Sequence, residues 1–599
     1  MKGMKWMMTV ALLVAATACS PDEPGGNGPG GGSTTGGDQT GTTVDLGEVT
    51  SFDIAVDSTS LAETESIDPD DEDYIENNEF TQAITITYHD NAVSVDGTVT
   101  GVSVETDGCH VTVISTAKGV NYVLSGSTSN GSFKIYGDKK FQLTLDGVSI
   151  TNPTGAAVNS QCKKRCYVLL ADGTHNQLAD GADYATTDDE DMKGTLFAEG
   201  KLLFSGNGHL KVAANYKFGI CSDDYILFRP GVNIYVNATA GSAIKANDAV
   251  LMRGGVVNVE CSAPAAKGMK CDGFVQVDGG RFTALTTGAG EWDSDEMDVN
   301  ASAGIKADSL ITINGGTVLA KSTGRGGKGI SSDQQVEING GTVKVITTNM
   351  QYTYNNRYTA KSKGIKADGD LTINGGDIMV RTTGGEGSEG IESKGRMTIN
   401  DGTVEVYAYD DAINSAGNLA ITGGKIFAYA TNNDGIDTNG TLTVAGGTVI
   451  ACGTTQPEDG FDCDQNAFVI TGGTVVGLGG GTTIPSSNGT TQPVVVLGGS
   501  NIGAGTLLTV SGNGALAFTV PRAYNSYTLV VSSPVLTKGG ACNITTGASI
   551  NGAGTYFHGL TTATAVSGGS SIFNATLSNF VTTSNYSGGM GGGGGWGRW

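Results

Sequence analysis

The sequence predicts an all-β fold, a single-stranded right-handed parallel β-helix with β-rich caps at both ends. In nine successive repeats a bulky apolar residue is followed eleven positions later by glycine, and these apolar residues are Ile220, Ile244, Met269, Ile305, Ile330, Ile365, Ile391, Ile413 and Ile436. The return from each glycine to the next apolar residue varies between 11 and 25 residues, so insertions fall on one side of the repeat. Apolar residues within a repeat alternate with polar ones, a period of two that argues against helices. One fixed and one variable side are typical of a solenoid with a functional face.

A single repeat shows how this pattern produces strands. Residues 364–380 alternate apolar and polar positions, and the apolar ones after the first are Leu371, Ile373, Ile378 and Val380. Such alternation predicts short strands with one buried face. The Asn374-Gly375-Gly376 segment between them predicts a bend with positive φ. Two or three strands cannot close a core alone, but coils stacked about 4.8 Å apart can.

The N-terminus has the features of a bacterial lipoprotein signal. A basic start, a short apolar core and small residues precede Cys19, which predicts a signal peptide over residues 1–18 and lipidation of Cys19, with a plain secretory signal as the alternative. The acidic residues that follow resemble the surface-export signal of Bacteroidetes lipoproteins. Residues 19–50, rich in Gly, Ser and Thr, predict a flexible tether. We therefore expect an outer-membrane lipoprotein on the cell surface of a Gram-negative, Bacteroidetes-like bacterium, attached to the membrane by its lipid anchor only.

The clarity of the repeat divides the rest of the chain into two caps, the β-helix and a tail. Residues 51–135 are strand-like without a period and predict an N-terminal cap, whereas residues 136–499 form the β-helix itself. Residues 500–587, rich in Thr, Ser and Val, predict a C-terminal cap, and residues 588–599 form a glycine-rich tail. Caps are expected because an open β-helix end is an unpaired strand edge.

Charge and cysteine content narrow the possible partners and compartments. The formal net charge of −25 disfavours nucleic acid and favours a cation-rich partner or a solvating role. Nine cysteines follow Cys19, an odd number that excludes complete intramolecular pairing. Cys271 and Cys463 stand where other repeats carry Ser, Ala or Thr, so we interpret them as small ladder residues. A disulfide between Cys162 and Cys166 stays an open alternative.

Alignment of the repeats on their apolar residue reveals two columns of charge. The position directly after it carries Lys245, Lys270, Lys306, Ser331 and Lys366, then Glu392, Asn414, Asp437 and Asp462. The position two before it carries Lys267, Ala303, Lys328 and Lys363, then Glu389, Asp411, Asp434 and Asp459. Both columns change from basic to acidic between the coils of Ile365 and Ile391.

The acidic half of these columns predicts a calcium site. Two carboxylates about 5 Å apart repel by about 0.8 kcal/mol even at the dielectric constant of water, so a stack of them favours a bound cation. Carboxylate oxygens are the ligands that calcium prefers. The predicted ligands are Asp410, Asp411, Asp434, Asp437, Asp459 and Asp462. A solvated acidic face is the alternative.

The basic half predicts contacts with an acidic polysaccharide. Lys270, Lys306 and Lys366 are each followed two positions later by an aspartate. Three other lysines have no such aspartate, and they are Lys267, Lys328 and Lys363. We expect these three to bind sugar carboxylates. An exposed ion-pair ladder is the default for the other lysines, and such pairs add little stability.

Two long insertions leave the stack at the same angular position, two coils apart. Residues 283–303 contain Trp292, and residues 344–363 contain Tyr352, Tyr354 and Tyr358. Trp292, Tyr352 and Tyr354 are predicted to offer aromatic faces to sugar rings above the lysine column. The alternative is that these aromatics only pin the loops in place.

The motifs resemble a known family, the calcium-binding, polygalacturonate-binding β-helix proteins called carbohydrate-binding domain-containing proteins. The resemblance covers about residues 80–480, and its clearest segments are 143–150, 305–308, 311–316 and 434–437. It implies that residues 136–499 bind carbohydrate and that the fold is similar to that of calcium-dependent pectate lyases. It also implies a calcium site at Asp410, Asp434 and Asp437, with Asn433 where the lyases carry a further aspartate.

The same resemblance bears on catalysis. Such lyases use a lysine or arginine base beyond the calcium ligands, but here no lysine lies between Lys425 and Lys538 and no arginine between Arg396 and Arg522. We therefore predict a protein that binds acidic polysaccharide through calcium without catalysis and without catalytic residues. A calcium-dependent pectate lyase and a structural adhesin or spacer are the alternatives.

Overall fold

A computed structural model describes residues 44, 46–185, 190–554 and 556–586. The signal peptide predicted for residues 1–18, Cys19 and the tail predicted for residues 588–599 lie outside them. The described chain is built from strands and two short 3-10 helices, Glu48–Thr50 and Ile75–Asn77. None of its helices has the length and apolar character needed to cross a bilayer.

Strands β1 to β47 comprise the solenoid and two hairpins inserted into it, β23 with β24 and β31 with β32. Strands β1 to β13 are Gln82–His89, Ala92–Asp96, Val102–Asp107, Cys109–Ser115, Val120–Thr128, Gly131–Gly137, Phe141–Asn152, Val158–Gln161, Cys166–Leu170, His175–Asp180, Gly194–Ala198, Leu202–Gly206 and His209–Ala214. Strands β14 to β30 are Phe218–Ser222, Tyr225–Phe228, Asn233–Ala238, Ile244–Ala246, Ala249–Met252, Val256–Cys261, Lys267–Cys271, Phe274–Val277, Arg281–Thr286, Glu291–Asp293, Asp298–Asn300, Ala303–Ala307, Leu310–Ile313, Thr317–Ser322, Lys328–Ser332, Gln335–Ile338 and Thr342–Thr347. Strands β31 to β47 are Tyr352–Tyr354, Tyr358–Ala360, Lys363–Ala367, Leu371–Ile373, Asp377–Thr382, Ile391–Ser393, Met397–Ile399, Thr403–Ala408, Ile413–Ser415, Leu419–Ile421, Lys425–Ala430, Ile436–Thr438, Leu442–Val444, Thr448–Cys452, Phe461–Asp462, Phe468–Ile470 and Thr474–Gly479.

Each complete coil contributes three strands, and equivalent strands of successive coils pair in parallel. In one coil, β25 belongs to a 15-stranded sheet, while β26 and β27 belong to two columns of a 31-stranded sheet. The apolar residues of the repeat lie in register, as for Ile305 and Ile330, and both are fully buried. The predicted parallel β-helix is therefore confirmed.

The turn glycines and the cysteines also match their predicted roles. Gly376 has φ +94°, and a Cβ there would lie 2.9 Å from the carbonyl oxygen of Gly341 in the preceding coil, so only glycine fits this bend. Cys271 pairs in register with Ala246 and Ala307 as a small ladder residue. The nine cysteines after Cys19 are all buried and free, so the Cys162–Cys166 disulfide is not formed.

Strands β48 to β58 follow the last coil and cover its edge. They are Val494–Ile502, Leu507–Gly512, Gly514–Thr519, Tyr524–Ser532, Ala541–Thr546, Ser549–Asn551, Tyr556–Phe557, Leu560–Ala563, Ala565–Ser567, Ser570–Thr576 and Val581–Ser584. Strand β51 pairs antiparallel with both β47 and β48. A six-stranded sheet of β54, β55, β50, β49, β52 and β57 lies beside this pairing. The open edge of the solenoid is thus closed by antiparallel strands, as a cap requires.

A segment without strands, from the end of the predicted tether into the predicted N-terminal cap, runs along the outside of the solenoid. We call residues 46–80 the strap. Its contacts pass from late coils to early ones, and they join Glu48 to Lys344 (2.7 Å), Asp53 to Lys321 (2.7 Å), Glu65 to Arg229 (2.9 Å) and Asp73 to Arg165 (2.8 Å). Residues 46–50 of the predicted tether belong to it, and Val49 is fully buried. Each of these four basic residues is therefore paired with an acidic residue of the strap.

Arg229→Ala is expected to release the early part of the strap. The Arg229 side chain is 7% exposed and donates to Glu65 and to both oxygens of Glu76, so its loss leaves carboxylates without a partner. Because Glu76 is 45% exposed, we expect a loss of about 2–3 kcal/mol, below the cost of breaking a fully buried pair. Hydrogen exchange at the amides of residues 74–78 measures this opening. Lys344→Ala breaks a pair with the exposed Glu48 and is expected to change exchange by less than about 1 kcal/mol. Equal protection in both variants would contradict the expectation.

Candidate functional site

The parallel register confirms both predicted columns of charge. Lys366, Glu392, Asn414, Asp437 and Asp462 occupy the same position in five successive coils. The other column places Lys267, Ala303, Lys328 and Lys363 in register. Backbone hydrogen bonds show that the acidic residues Glu389, Asp411, Asp434 and Asp459 continue this column. In each coil, the residue that follows the column member donates its N–H to the carbonyl of the column member one coil later, as Gly364 does to Glu389.

Three carboxylates converge where the two columns are acidic. One oxygen each from Asp434, Asp437 and Asp462 lies within 4.8 Å of the other two. Asp434 and Asp437 flank the start of β42, and Asp462 ends β45 in the next coil. Constant spacing within the repeat therefore brings together side chains that are about 25 residues apart in sequence.

In each of the three carboxylates, one oxygen accepts hydrogen bonds from the protein. Asp437 Oδ2 accepts from Asn414 Nδ2 (2.8 Å), and Asp462 Oδ1 accepts from Thr483 Oγ1 (3.2 Å) and from a backbone N–H. Asp434 Oδ1 accepts from the backbone N–H of Asp459. The second oxygen of each has no donor among the described residues. The three side chains are thus held in place while one oxygen of each is left available.

Carboxyl groups at this site have raised pKa values and no basic partner among the described residues. Burial raises the pKa of Asp434 to about 10, and the charge of Asp411 adds to the rise. Burial and Asp411 likewise raise the pKa of Asp437 to about 8, while burial and Asp462 raise that of Asp459 to about 8. None of these carboxylates forms an ion pair with a lysine or arginine in the described part of the chain. Ionisation of these carboxyls is therefore disfavoured unless a cation offsets their charge.

The other predicted ligands surround this group without joining it. Asp410 accepts from the Gly387 N–H at one oxygen and from Asn433 Nδ2 (2.7 Å) at the other. Asp411 accepts from the Asp434 N–H (3.2 Å) and from Asn414 Nδ2 (2.8 Å), and burial raises its pKa to about 7. Asn414 therefore bridges Asp411 and Asp437, a role that the sequence analysis missed although Asn414 stood in the aligned column.

The donor set fits a hard divalent cation. Asp434, Asp437 and Asp462 offer three carboxylate oxygens and contain neither histidine nor cysteine, which softer transition metals prefer. Asp459 donates its backbone N–H to Asp434, but its carboxylate is not one of the three that converge. A calcium ion would take these oxygens and complete its shell with water or ligand oxygens.

The three predicted sugar-binding lysines differ in their surroundings. Lys363 is 4% exposed, and its Nζ contacts Glu389 and Glu392 (3.1 Å to Glu392). Lys267 and Lys328 form no ion pair within the described residues, and burial lowers the pKa of each to about 8. Of the three, Lys267 and Lys328 are therefore the ones that no carboxylate of the described residues neutralises. The pairing of Lys363 was visible in the column, because Glu389 is its neighbour one coil later.

The other lysines follow the ion-pair alternative in part. Lys366 pairs with Asp368, and Lys270 reaches Asp272 at 4.0 Å. Lys306 pairs with Asp333 of the next coil, not with Asp308 as the spacing predicted. The nearest carboxylate is set by stacking between coils as well as by alternation along a strand.

Two β-hairpins form the predicted insertions and pack against each other. Strands β23 and β24 form one hairpin, and β31 and β32 form the other. Trp292 stacks on Tyr354 with ring centroids 4.5 Å apart and an angle of 9°, and it also contacts Tyr358. A Cβ on Gly290 or on Gly326 would lie 3.1 Å from Tyr352, which therefore packs closely on both backbones. These contacts favour the alternative that the aromatics pin the loops.

Comparison with known proteins shows that the sequence is similar to one protein family. The sequence model of the carbohydrate-binding domain-containing protein family matches residues 107–274, 262–351 and 355–435. A carbohydrate-binding domain-containing protein from Acetivibrio thermocellus is 33% identical over 121 residues, which cover 20% of this chain and 42% of that protein. The match thus spans less than half the length of this relative. A solved structure of a polysaccharide lyase-like protein from C. thermocellum, a gadolinium derivative, is 21% identical, with a TM-score of 0.32 and coverage of 53% of this chain and 96% of that chain.

Proposed function

We propose that this chain, which belongs to the carbohydrate-binding domain-containing protein family, binds an acidic, polygalacturonate-like polysaccharide through calcium held on the acidic column. The observation that carries the proposal is the convergence of Asp434, Asp437 and Asp462, each with one oxygen that no described donor reaches. A polymer that presents a carboxylate on each sugar supplies further oxygens to a cation held there.

The side chains of the chain itself would hold and orient such a polymer. Bound calcium would link protein and sugar carboxylates that otherwise repel each other. Lys328 lies four coils from Asp434 on the same column, a distance of about 19 Å along the stack. A polymer that follows the column would therefore pass from the acidic group to the unpaired Lys328 and then to Lys267. The lysine contacts are expected to weaken with salt, but less than contacts of fully exposed lysines would, because both side chains are largely buried.

The arrangement supports binding more than lyase chemistry. A lyase requires a base close to the carbon beside the uronate carboxylate, within about 3 Å of its proton. Lys363, the last lysine of its column before the acidic residues, and Lys394 of the next coil both pair with Glu392. Lys328 is unpaired but lies too far along the stack for a sugar held at Asp434. The proposal is therefore binding without catalysis, and it includes Cys19 as the lipidated anchor of a surface-exposed outer-membrane protein.

Retention on immobilised polygalacturonate tests this function. At about 0.15 M salt, we expect wild-type retention with calcium to exceed that with EDTA at least tenfold, and magnesium to restore little of it. Asp434→Asn/Asp437→Asn is expected to behave with calcium as wild type does in EDTA. A neutral polysaccharide column serves as the control matrix. Retention unchanged by EDTA and by the variant would refute the calcium mechanism, and formation of an unsaturated uronate product that absorbs in the ultraviolet would establish the lyase instead.

A further inference from the structure

A second charged feature lies at the other end of the solenoid. A cavity of about 660 Å³ opens between the strap and the turns of early coils, a size typical of small-ligand sites. Seven of its twelve lining residues are basic, and they are Lys118, Lys139, Lys140, Lys163, Lys164, Arg165 and Lys201. Glu72, Glu79 and Asp138 are its acidic residues, and Phe80 of the strap lies among them. In a chain with a net charge of −25, this concentration of positive charge is local and needs its own explanation.

The basic residues are stacked by the fold. They lie in the turns that precede β5, β7, β9 and β12, the same turn in four successive coils. The register of Phe141 with Cys166, and of Cys166 with Leu202, places Lys140, Arg165 and Lys201 directly above one another. The register of β5 with β7 does the same for Lys118, Lys139 and Lys164. Successive cations are therefore about 4.8 Å apart along two adjacent columns.

Part of this charge is neutralised within the chain. Arg165 pairs with Glu72 (3.0 Å) and Asp73 (2.8 Å), and Lys201 pairs with Asp224 (3.1 Å). The pairs of Lys139 and Lys140 are with the exposed Asp138 and Glu72. Lys118 and Lys164 are exposed and form no ion pair within the described residues. The stack thus keeps unpaired positive charge at its open side, where an anionic ligand would relieve the repulsion.

We propose that this cavity is a second, calcium-independent binding site for an anionic oligosaccharide that carries carboxylate or sulfate groups. The assignment of the ligand as a saccharide rests on the proposed function. The positive charge of the site is observed independently of that function. Six of the seven cations are lysines, and the single arginine is already paired, whereas phosphate recognition favours free, bidentate arginines. The apolar Phe80 ring, which packs against Tyr167 at 5.2 Å, gives the cavity a surface for a sugar face beside the charges.

Calorimetric titration with a short oligogalacturonate in EDTA at low salt tests this site. Wild type is expected to bind, and Lys118→Glu/Lys164→Glu to lose at least tenfold in affinity, because both side chains are exposed and their reversal leaves packing unchanged. Lys217→Glu/Lys425→Glu, with the same charge change at two other exposed lysines, is expected to bind as wild type. A heparin-derived oligosaccharide of equal charge distinguishes sulfate from carboxylate ligands. Thermal melts check that all variants are folded.

Further arms separate this site from the acidic column. Asp434→Asn/Asp437→Asn is expected to leave binding in EDTA intact, so loss of calcium-dependent retention alone would refute only the proposed calcium mechanism. Absence of wild-type binding in EDTA, or binding that survives Lys118→Glu/Lys164→Glu, would overturn the second site. A single-stranded oligonucleotide of equal charge that binds as tightly as both oligosaccharides would overturn its assignment to saccharides.

Discussion

Asp434→Asn/Asp437→Asn is expected to abolish calcium binding and, in the presence of EDTA, to make the protein more stable than wild type. The two effects have opposite signs because the same carboxylates bind the cation and repel each other without it. Burial holds the pKa of Asp434 at about 10 and that of Asp437 at about 8, far above the value near 3.9 of an unfolded chain. Asparagine keeps the shape of the side chain and removes the charge.

The pH dependence gives this expectation its sign. A carboxyl whose pKa is raised on folding binds more protons when folded, so stability is fully present below pH 4 and is lost as pH rises toward 8 to 10. Each pKa unit corresponds to about 1.4 kcal/mol. Because the groups interact and relax, we expect the variant to gain about 2–4 kcal/mol over wild type in EDTA at pH 8 and little at pH 4. Denaturant unfolding at several pH values measures the difference.

Calcium and a matched variant provide the controls. Wild type at a calcium concentration of 100 times Kd is expected to gain about 2.7 kcal/mol, whereas the variant gains nothing. Asp377→Asn/Asp401→Asn removes two exposed acids elsewhere and is expected to shift stability by less than about 0.5 kcal/mol. A variant that is less stable than wild type in EDTA at pH 8 would show that the acidic group does not carry the repulsion inferred for it.

The acidic group could be predicted from the sequence because a constant spacing fixes which side chains stack. Once the repeats are aligned on residues such as Ile413 and Ile436, alternation along each strand decides which face a side chain occupies. Asp434, Asp437 and Asp462 then become neighbours without any knowledge of the coordinates. The choice of which oxygens stay unpaired was not predictable, since it depends on donors such as Thr483 that lie outside the repeat.

The strap and the packing between the hairpins were beyond prediction for a different physical reason. Residues 46–80 carry no repeat, and their ion pairs join positions more than 90 residues apart, such as Asp73 and Arg165. The packing of Trp292 on Tyr354 depends on how two hairpins lean toward each other, which no periodic pattern encodes. Lys363 is an intermediate case. A search for an acidic residue on the same strand finds no partner for Lys363. A search at the equivalent position of the next coil finds Glu389.

Lys363→Met is expected to destabilise the protein by about 3–5 kcal/mol, the usual cost of removing one partner from a buried ion pair. The variant leaves Glu392, whose side chain is 1% exposed, without its buried cation. Burial opposes ionisation of Glu392, yet Lys363 and Lys394 lower its pKa to about 2 and so favour the ionised carboxylate. This contribution is present above the unfolded pKa of about 4.3 and is lost as pH falls toward 2. Denaturant unfolding at neutral pH therefore reports the full effect.

Comparison with a neighbouring lysine separates a structural role of Lys363 from a role in ligand binding. Lys394 pairs with the same Glu392 oxygen but is 48% exposed, so Lys394→Met is expected to cost less than about 1 kcal/mol. Addition of Glu389→Gln and Glu392→Gln to Lys363→Met removes the unpaired charges and is expected to recover most of the lost stability. If Lys363→Met instead keeps wild-type stability and lowers retention on polygalacturonate, Lys363 contacts the polymer and the buried ion pair is wrong. The expected outcome, lost stability that the two glutamines restore, would leave Lys267 and Lys328 as the lysines of this column that are available to a ligand.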